Sequence, residues 1–404
     1  MASARLFAPL RSSDYRKLWV AQLVSVIGDK VHQIAMSVLV YGLTHSVAHV
    51  GAMLAVTTLP AVLFGVPAGV FVDRWDRRAT MVASDLLRAG IVLCIPLLVR
   101  FGMPVVYVAA FCVATVSLFF EPARLSLIPE VVEGDELMAA NSLDNVTASA
   151  SELLGLAGAA GIVATIGAAN AFYLDGVTFL VSGLFVALVS FRGHPADASV
   201  ASPFLSELRR GLGHIAEMKV LRDLVGVYAL AAAGVAAAIL AVNGLALQRF
   251  GTGTVDSRAV GLALLDGAIT VGLLVGSATI GQSKPGNAGR KFLGSLGVFG
   301  IAFLLVGFAP RLWMAAPLLF IGGAANMWFY VPGATIIQHV SRPDLRGRVF
   351  AAKNAVSRVA TTVGFLGAGL LADRIGLANT VILIGALVLL VSAFGWTRPA
   401  LRDA

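Results

Sequence analysis

Twelve stretches of about twenty mostly apolar residues, joined by short polar connections, constrain this 404-residue chain more than any other feature. Hydrocarbon offers the backbone no water, so a stretch of that length has to close its own hydrogen bonds as a helix. The first six are 18–43, 49–72, 80–99, 104–127, 140–166 and 171–191, and six more run from 224–248 to 379–396. Charged residues make up 13% of the chain and hydrophobic residues 58%, whereas soluble domains carry about 25% charged residues. The expected fold class is therefore an all-α membrane protein with twelve transmembrane helices.

The formal charge of +8 would by itself fit a polyanionic partner, but its placement argues for topology. Of thirty Lys and Arg, twenty-two lie at the termini, in the even-to-odd connections or, for Arg124 and Lys353, at the helix ends beside them. Five (Arg100, Arg249, Arg258, Arg311, Arg374) lie on the opposite side, and Lys30, Arg88 and Arg358 fall inside helices. The positive-inside bias then places both termini in the cytoplasm, and no nucleic acid partner is implied. Cys94 and Cys112 both sit in apolar helices, so no disulfide framework is expected. Met1 to Trp19 has basic residues but no short apolar core with a cleavage site, so no removable leader is expected.

The longest connection, Arg192 to Asp223, is polar and carries Pro195 and Pro203, with an amphipathic pattern over 205–218. It divides the chain into an N-terminal six-helix bundle (1–191), a cytoplasmic connection (192–223) and a C-terminal six-helix bundle (224–404). The halves are weakly repeated: Pro122, Leu127 and Asn141 parallel Pro332, Ile337 and Asn354 at an offset near half the chain, the trace parallel repeats leave. Gly65 and Gly69, then Gly155, Gly158 and Gly161, Gly272 and Gly276, and Gly364 and Gly367 supply small surfaces on which membrane helices approach closely.

Between the second and third stretches stands Gly69-Val70-Phe71-Val72-Asp73-Arg74-Trp75-Asp76-Arg77-Arg78, which reads as a tight basic turn. Written G-x-x-x-D-R-x-x-R-R, it resembles the loop between helices 2 and 3 of the major facilitator superfamily at all five fixed positions. Two further stretches are Glu121-Pro122-Ala123-Arg124 with Leu127-Ile128-Pro129-Glu130, and Pro343-Asp344-Leu345-Arg346-Gly347-Arg348-Val349. Together with Asp85-Leu86-Leu87-Arg88-Ala89 they are similar to the drug:proton antiporter branch that includes macrolide efflux proteins and exporters of catecholate siderophores. The resemblance implies two pseudo-symmetric six-helix bundles and a gating motif of Gly69, Asp73, Arg74, Arg77 and Arg78. It implies a second-half loop motif at Asp344, Arg346, Gly347 and Arg348. The fifth stretch departs from it, since the family's proline is missing among Gly155, Gly158 and Gly161.

A charge at the bilayer centre costs about 2.5–3.5 kcal/mol on insertion scales, so charges inside spanning helices form the functional shortlist. They are Asp29, Lys30, Asp85, Arg88, Glu121, Glu152, Asp175, Asp266 and Arg358. Gln22, Ser25, Asp29, His32, Gln33 and Met36 recur at helical spacing, which predicts one polar face on the first helix. A protonatable carboxylate at Asp29 is the first choice, with Lys30, Gln33, Glu121, Glu152 and Arg358 as the other cavity candidates. Asp85 and Arg88, three apart, read as an ion pair on helix 3. Asp175 and Asp266, near helix ends, read as reaching water.

The expected activity is secondary active export of a small amphiphilic or hydrophobic compound by proton antiport, from a bacterial cytoplasmic membrane, by a monomer. A lipid or lysophospholipid flippase and a proton-coupled nutrient importer are the alternatives of the same fold. A membrane enzyme is disfavoured, because no G-x-x-x-x-G-K-[ST], H-E-x-x-H or nucleophile motif occurs. A receptor is disfavoured because the connections are too short to present a domain. No cofactor and no metal site is expected; the partners are the substrate, protons and the bilayer.

Overall fold

The computed structural model describes residues 7–132, 136–190, 204–248, 255–283, 286–343 and 345–404. Its long elements are all helices: α1 Ser13–Thr44, α2 Val47–Arg74, α3 Arg77–Leu98, α4 Met103–Val131, α5 Leu137–Ala187 and α6 Phe204–Glu217. There follow α7 Lys219–Gln248, α8 Val255–Gly281, α9 Ala288–Phe308, α10 Leu312–Val340, α11 Arg346–Ile375 and α12 Leu377–Trp396. Among the described residues eleven spans are long and apolar enough to cross a membrane. The fifth stretch and most of the sixth lie within α5, which is broken at Gly167. There φ is 79° and ψ 161°, a left-handed-side conformation that glycine reaches without a Cβ clash.

Where the sequence reads as a turn over 69–78, the chain is mostly helical. Helix α2 continues to Arg74, and only Trp75 and Asp76 separate it from α3. Along this extension Val72 is fully buried, and the Phe71 ring meets that of Trp75, one turn later, at a tilt with centroids 5.6 Å apart. Asp76 is the N-cap of α3, its carboxylate accepting from the Ala79 amide at 2.7 Å, which satisfies one orphan donor of the first turn.

The chain forms two compact units, Met1–Val40 with Leu63–Ala201, and Tyr41–Val62 with Ser202–Ala404. In the first, α3 packs on α4 and α5, around a core of Leu18, Val72, Met81, Phe120, Leu127 and Val186. In the second, α10 packs on α8 and α9, α9 on α12, and α7 on α11 and α12. The start of α2 also belongs to this unit, where Asp373 accepts from the Ser46 hydroxyl at 2.6 Å and from the Val47 amide at 3.2 Å. The amphipathic helix α6 lies against α11, with Gly211 so close to the Arg348 carbonyl that a Cβ would collide with it.

Glycines separate into two kinds. A Cβ on Gly272 would strike the Phe320 carbonyl, one on Gly276 the Ala324 backbone, and one on Gly364 the Ala233 carbonyl. Gly65, Gly158, Gly161 and Gly367 face open space. The crossing of α8 and α10 is thus a backbone-to-backbone contact that only glycine permits. Gly272→Val or Gly276→Val should destabilise the protein by about 1–3 kcal/mol through overpacking. Gly367→Val should stay within about 0.5 kcal/mol. Thermal unfolding of the purified protein in detergent checks the contrast, and equal midpoints for Gly272→Val and Gly367→Val would refute it.

Candidate functional site

In the first unit, one strip of the second segment of α5 carries Phe172, Asp175, Thr178, Phe179 and Ser182 at helical spacing. Asp175 does not reach water: it is 0% exposed and accepts a 2.9 Å hydrogen bond at Oδ2 from His32 Nδ1 of α1. Gly28 makes this approach possible, since a Cβ there would run into Thr178 and Asp175. Phe172 meets the His32 ring edge-on at 5.5 Å. The Thr178 hydroxyl closes the other side, donating to the Asp175 carbonyl at 2.7 Å and lying 3.4 Å from Oδ1.

Two turns further along, Ser182 donates to Asp85 Oδ2 at 2.8 Å, and Asp85 is ion-paired with Arg88. Both charges are buried, and the Arg88 guanidinium also stands over the rings of Phe120 (4.7 Å) and Phe179 (4.2 Å). A planar, weakly hydrated cation suits this arrangement of one carboxylate and two aromatic faces.

Helix α1 does not present the single polar face that its spacing predicts. Ser25 and Met36 are buried, Asp29 and Gln33 are exposed, Lys30 is half-buried, and His32 turns toward α5. A polar spacing that spans more than one face lets α1 serve two neighbourhoods at once. Asp29 has no hydrogen bond or ion pair among the described residues.

A third cluster lies where α1, α4 and α5 meet. Arg124, 9% exposed at its side chain, donates to both oxygens of Glu121 at 2.8 and 3.0 Å and to Asp144 at 2.6 Å. Tyr15 donates toward Asp144 at 3.3 Å and to the Ala140 carbonyl at 3.0 Å. From sequence, Arg124 counts with the basic helix ends and Asp144 goes unremarked. The structure puts both inside helices, as it does Lys353. The Lys and Arg bias without Arg124 and Lys353 is still twenty to five.

Of the motif residues, Arg77 pairs with Glu130 at the end of α4 and donates to the Ser126 carbonyl at 3.1 Å. Arg78 donates to the Val189 carbonyl at 2.6 Å, and Arg74 is exposed. The side chains of Asp73 and Glu152, and the surroundings of Gly69, lie outside the described residues. So does Asp344; Arg346 and Gly347 are exposed at the start of α11 and Arg348 is half-buried.

The second unit holds a different kind of charge. Lys353 is 5% exposed, with Nζ 4.4 Å from the Tyr228 ring and 5.0 Å from the Tyr330 ring. No carboxylate among the described residues lies within ion-pair distance of it. Tyr228 is fixed by donating to the Tyr330 carbonyl at 2.8 Å and by tilted ring contacts with Phe292 and Phe329. Arg358, one of the cavity candidates, is exposed and has no side-chain partner among the described residues. Each unit also carries an apolar cleft: about 370 Å³ beside Trp19, Leu23, Ile27 and Val146 in the first, and about 410 Å³ beside Leu230, Val363, Leu387 and Phe394 in the second.

A family model described as "Transmembrane secretion effector" matches residues 4–404. The chain belongs to this family of major facilitator superfamily transporters. Multidrug efflux pump Tap of Mycolicibacterium fortuitum is 28% identical over 86% of this chain and 86% of its own length. Macrolide efflux protein A of Streptococcus pyogenes is 26% identical over 93% of each chain. Among solved structures, a bacterial homologue of the human lysosomal transporter Spinster superposes with a TM-score of 0.74 at 14% identity, covering 96% of this chain and 98% of that one. The nucleoside transporter NupG superposes with a TM-score of 0.75 at 9% identity, covering 95% and 98%. These likenesses establish a transporter with the major facilitator fold.

Removing one partner of a buried ion pair leaves an uncompensated charge, at a cost of about 3–5 kcal/mol, while replacing both is often tolerated. Asp85→Leu and Arg88→Leu should each lower the thermal midpoint of this transporter strongly, and the double variant should recover much of the loss. Additive losses in the double variant would show that the two side chains act independently.

Proposed function

We propose that this transporter exports a small amphiphilic or hydrophobic compound in exchange for protons, from a bacterial cytoplasmic membrane. The observation that carries the proposal is Asp29: a carboxylate in the interior of a spanning helix, exposed and unpaired among the described residues. A group so placed changes its energy with each proton gained and with each rearrangement of its neighbours. The full-length likeness to proteins named as efflux pumps supports export, and apolar clefts of a size for small ligands support an amphiphilic cargo.

The transporter acts as a monomer that opens to each side of the membrane in turn. Arg77 and Arg78, held to the ends of α4 and α5, stabilise one of the two states with Gly69, Asp73 and Arg74. The motif of Asp344, Arg346, Gly347 and Arg348 does the same in the second half. Both termini and the 192–223 connection face the cytoplasm. A cysteine introduced at Val200 should therefore escape an impermeant maleimide added outside intact cells, and efficient labelling would reverse the topology.

Asp29→Asn should reduce pH-driven accumulation of an efflux dye in inside-out vesicles at least tenfold while downhill dye movement persists, because the amide keeps the shape but cannot exchange a proton. Wild-type accumulation in the variant would make Asp29 structural. Dye movement indifferent to the pH gradient in the unmutated protein would rule out proton exchange.

A further inference from the structure

Helix α1 brings a second titratable group to the same region, one that the polar-face reading treats only as part of a stripe. His32 and Asp175 form an interhelical pair between α1 and α5 at 2.9 Å, with the carboxylate fully buried and the imidazole 17% exposed at its side chain. An ionised carboxylate only accepts hydrogen bonds, so the pairing puts the hydrogen on Nδ1 and leaves Nε2 as the atom that gains or loses a proton. Nε2 has no partner among the described residues. The carboxylate, the edge of Phe172 and the missing Cβ at Gly28 hold the ring in this orientation.

We infer that His32, oriented by Asp175, is the residue that carries the exchanged proton, with Asp29 one turn earlier on α1 passing it in from water. In the step, Nε2 takes a proton from the Asp29 carboxyl group or directly from water, and the imidazole becomes an imidazolium. The Nδ1–H bond to Asp175 persists, and the carboxylate stays anionic throughout. The proton leaves from Nε2 when the other side of the membrane is open, so one proton crosses per cycle and the pair alternates between net charge −1 and 0.

The surrounding charges are compatible with this. On α1 they are Asp29 and Lys30; on α3, packed against α5, they are Asp85 and Arg88, which pair with each other. On α5 the neighbours of Asp175 are the neutral Thr178 and Phe172. Asp175 is therefore the one carboxylate in this group engaged with His32 and with no second cation bound to it among the described residues.

This inference rests on the proton-exchange reading above, and its test separates the two. The unmutated transporter, His32→Gln and Asp175→Asn are purified whole, placed in proteoliposomes and assayed with ethidium under an imposed pH gradient. Glutamine retains a hydrogen-bond donor for Asp175 but does not titrate. The expected result is at least a tenfold loss of gradient-driven ethidium accumulation in His32→Gln with downhill exchange kept. Asp175→Asn should retain transport but with its pH profile displaced, since the anion beside the ring is gone. Gradient-driven accumulation at the unmutated rate in His32→Gln overturns the role of His32 and leaves proton exchange intact; an unmutated protein that moves ethidium without regard to the gradient overturns proton exchange itself.

A second measurement needs neither transport nor a substrate. Side-chain ¹⁵N resonances of the six histidines, recorded from pH 5 to 8.5, identify His32 as the signal absent from His32→Gln. A change of protonation at Nε2 within that range, displaced in Asp175→Asn, supports the assignment. A His32 resonance that keeps one protonation state across the range overturns it.

Discussion

The cost of an uncompensated charge in hydrocarbon organises the first unit. Among the described residues each buried charge there is met by a specific partner: Asp85 by Arg88 and Ser182, Asp175 by His32, Arg124 by Glu121 and Asp144. Because each pair joins different helices or successive turns, compensation doubles as positioning. Helix α5 is the common member, supplying Asp144 to one cluster, Asp175 to the second and Ser182 to the third. Its break at Gly167 lets its two segments take separate directions while remaining adjacent in sequence.

Much of this architecture is legible in the residues. Apolar length alone predicts the helices, and the match of residues 4–404 to one family agrees with what the run around Asp73 implies. Other features escape for identifiable physical reasons. Hydropathy sees 69–78 as a polar interruption, yet Val72 is buried, the Phe71 and Trp75 rings meet, and α2 runs on to Arg74. Distance from a helix end places Asp175 near water, but burial is decided by which helix lies alongside, and Gly28 admits α5 close enough to seal it. Spacing groups His32 with Asp29 on one stripe, but it does not show that the His32 ring is held by Asp175 of α5. Arg124 and Lys353 look like topogenic charges because a count of basic residues carries no depth.

The small residues show the same limit. Gly272, Gly276 and Gly364 sit against backbone, and Gly65, Gly158, Gly161 and Gly367 do not, although both sets follow the same spacing. A periodic glycine reports that a close approach is permitted; only the partner helix determines whether it is used.

Lys353 sets the second unit apart. Its ammonium rests on the faces of Tyr228 and Tyr330, and ring quadrupoles attract a cation without cancelling its charge. The Asp85–Arg88 pair of the first unit is net neutral, so the membrane voltage exerts little net force on it. An ammonium that stays charged is different: moving one elementary charge through the full field changes its energy by about 2.3 kcal/mol per 100 mV. Any rearrangement that shifts Lys353 in depth while it remains protonated therefore performs electrical work against the membrane potential.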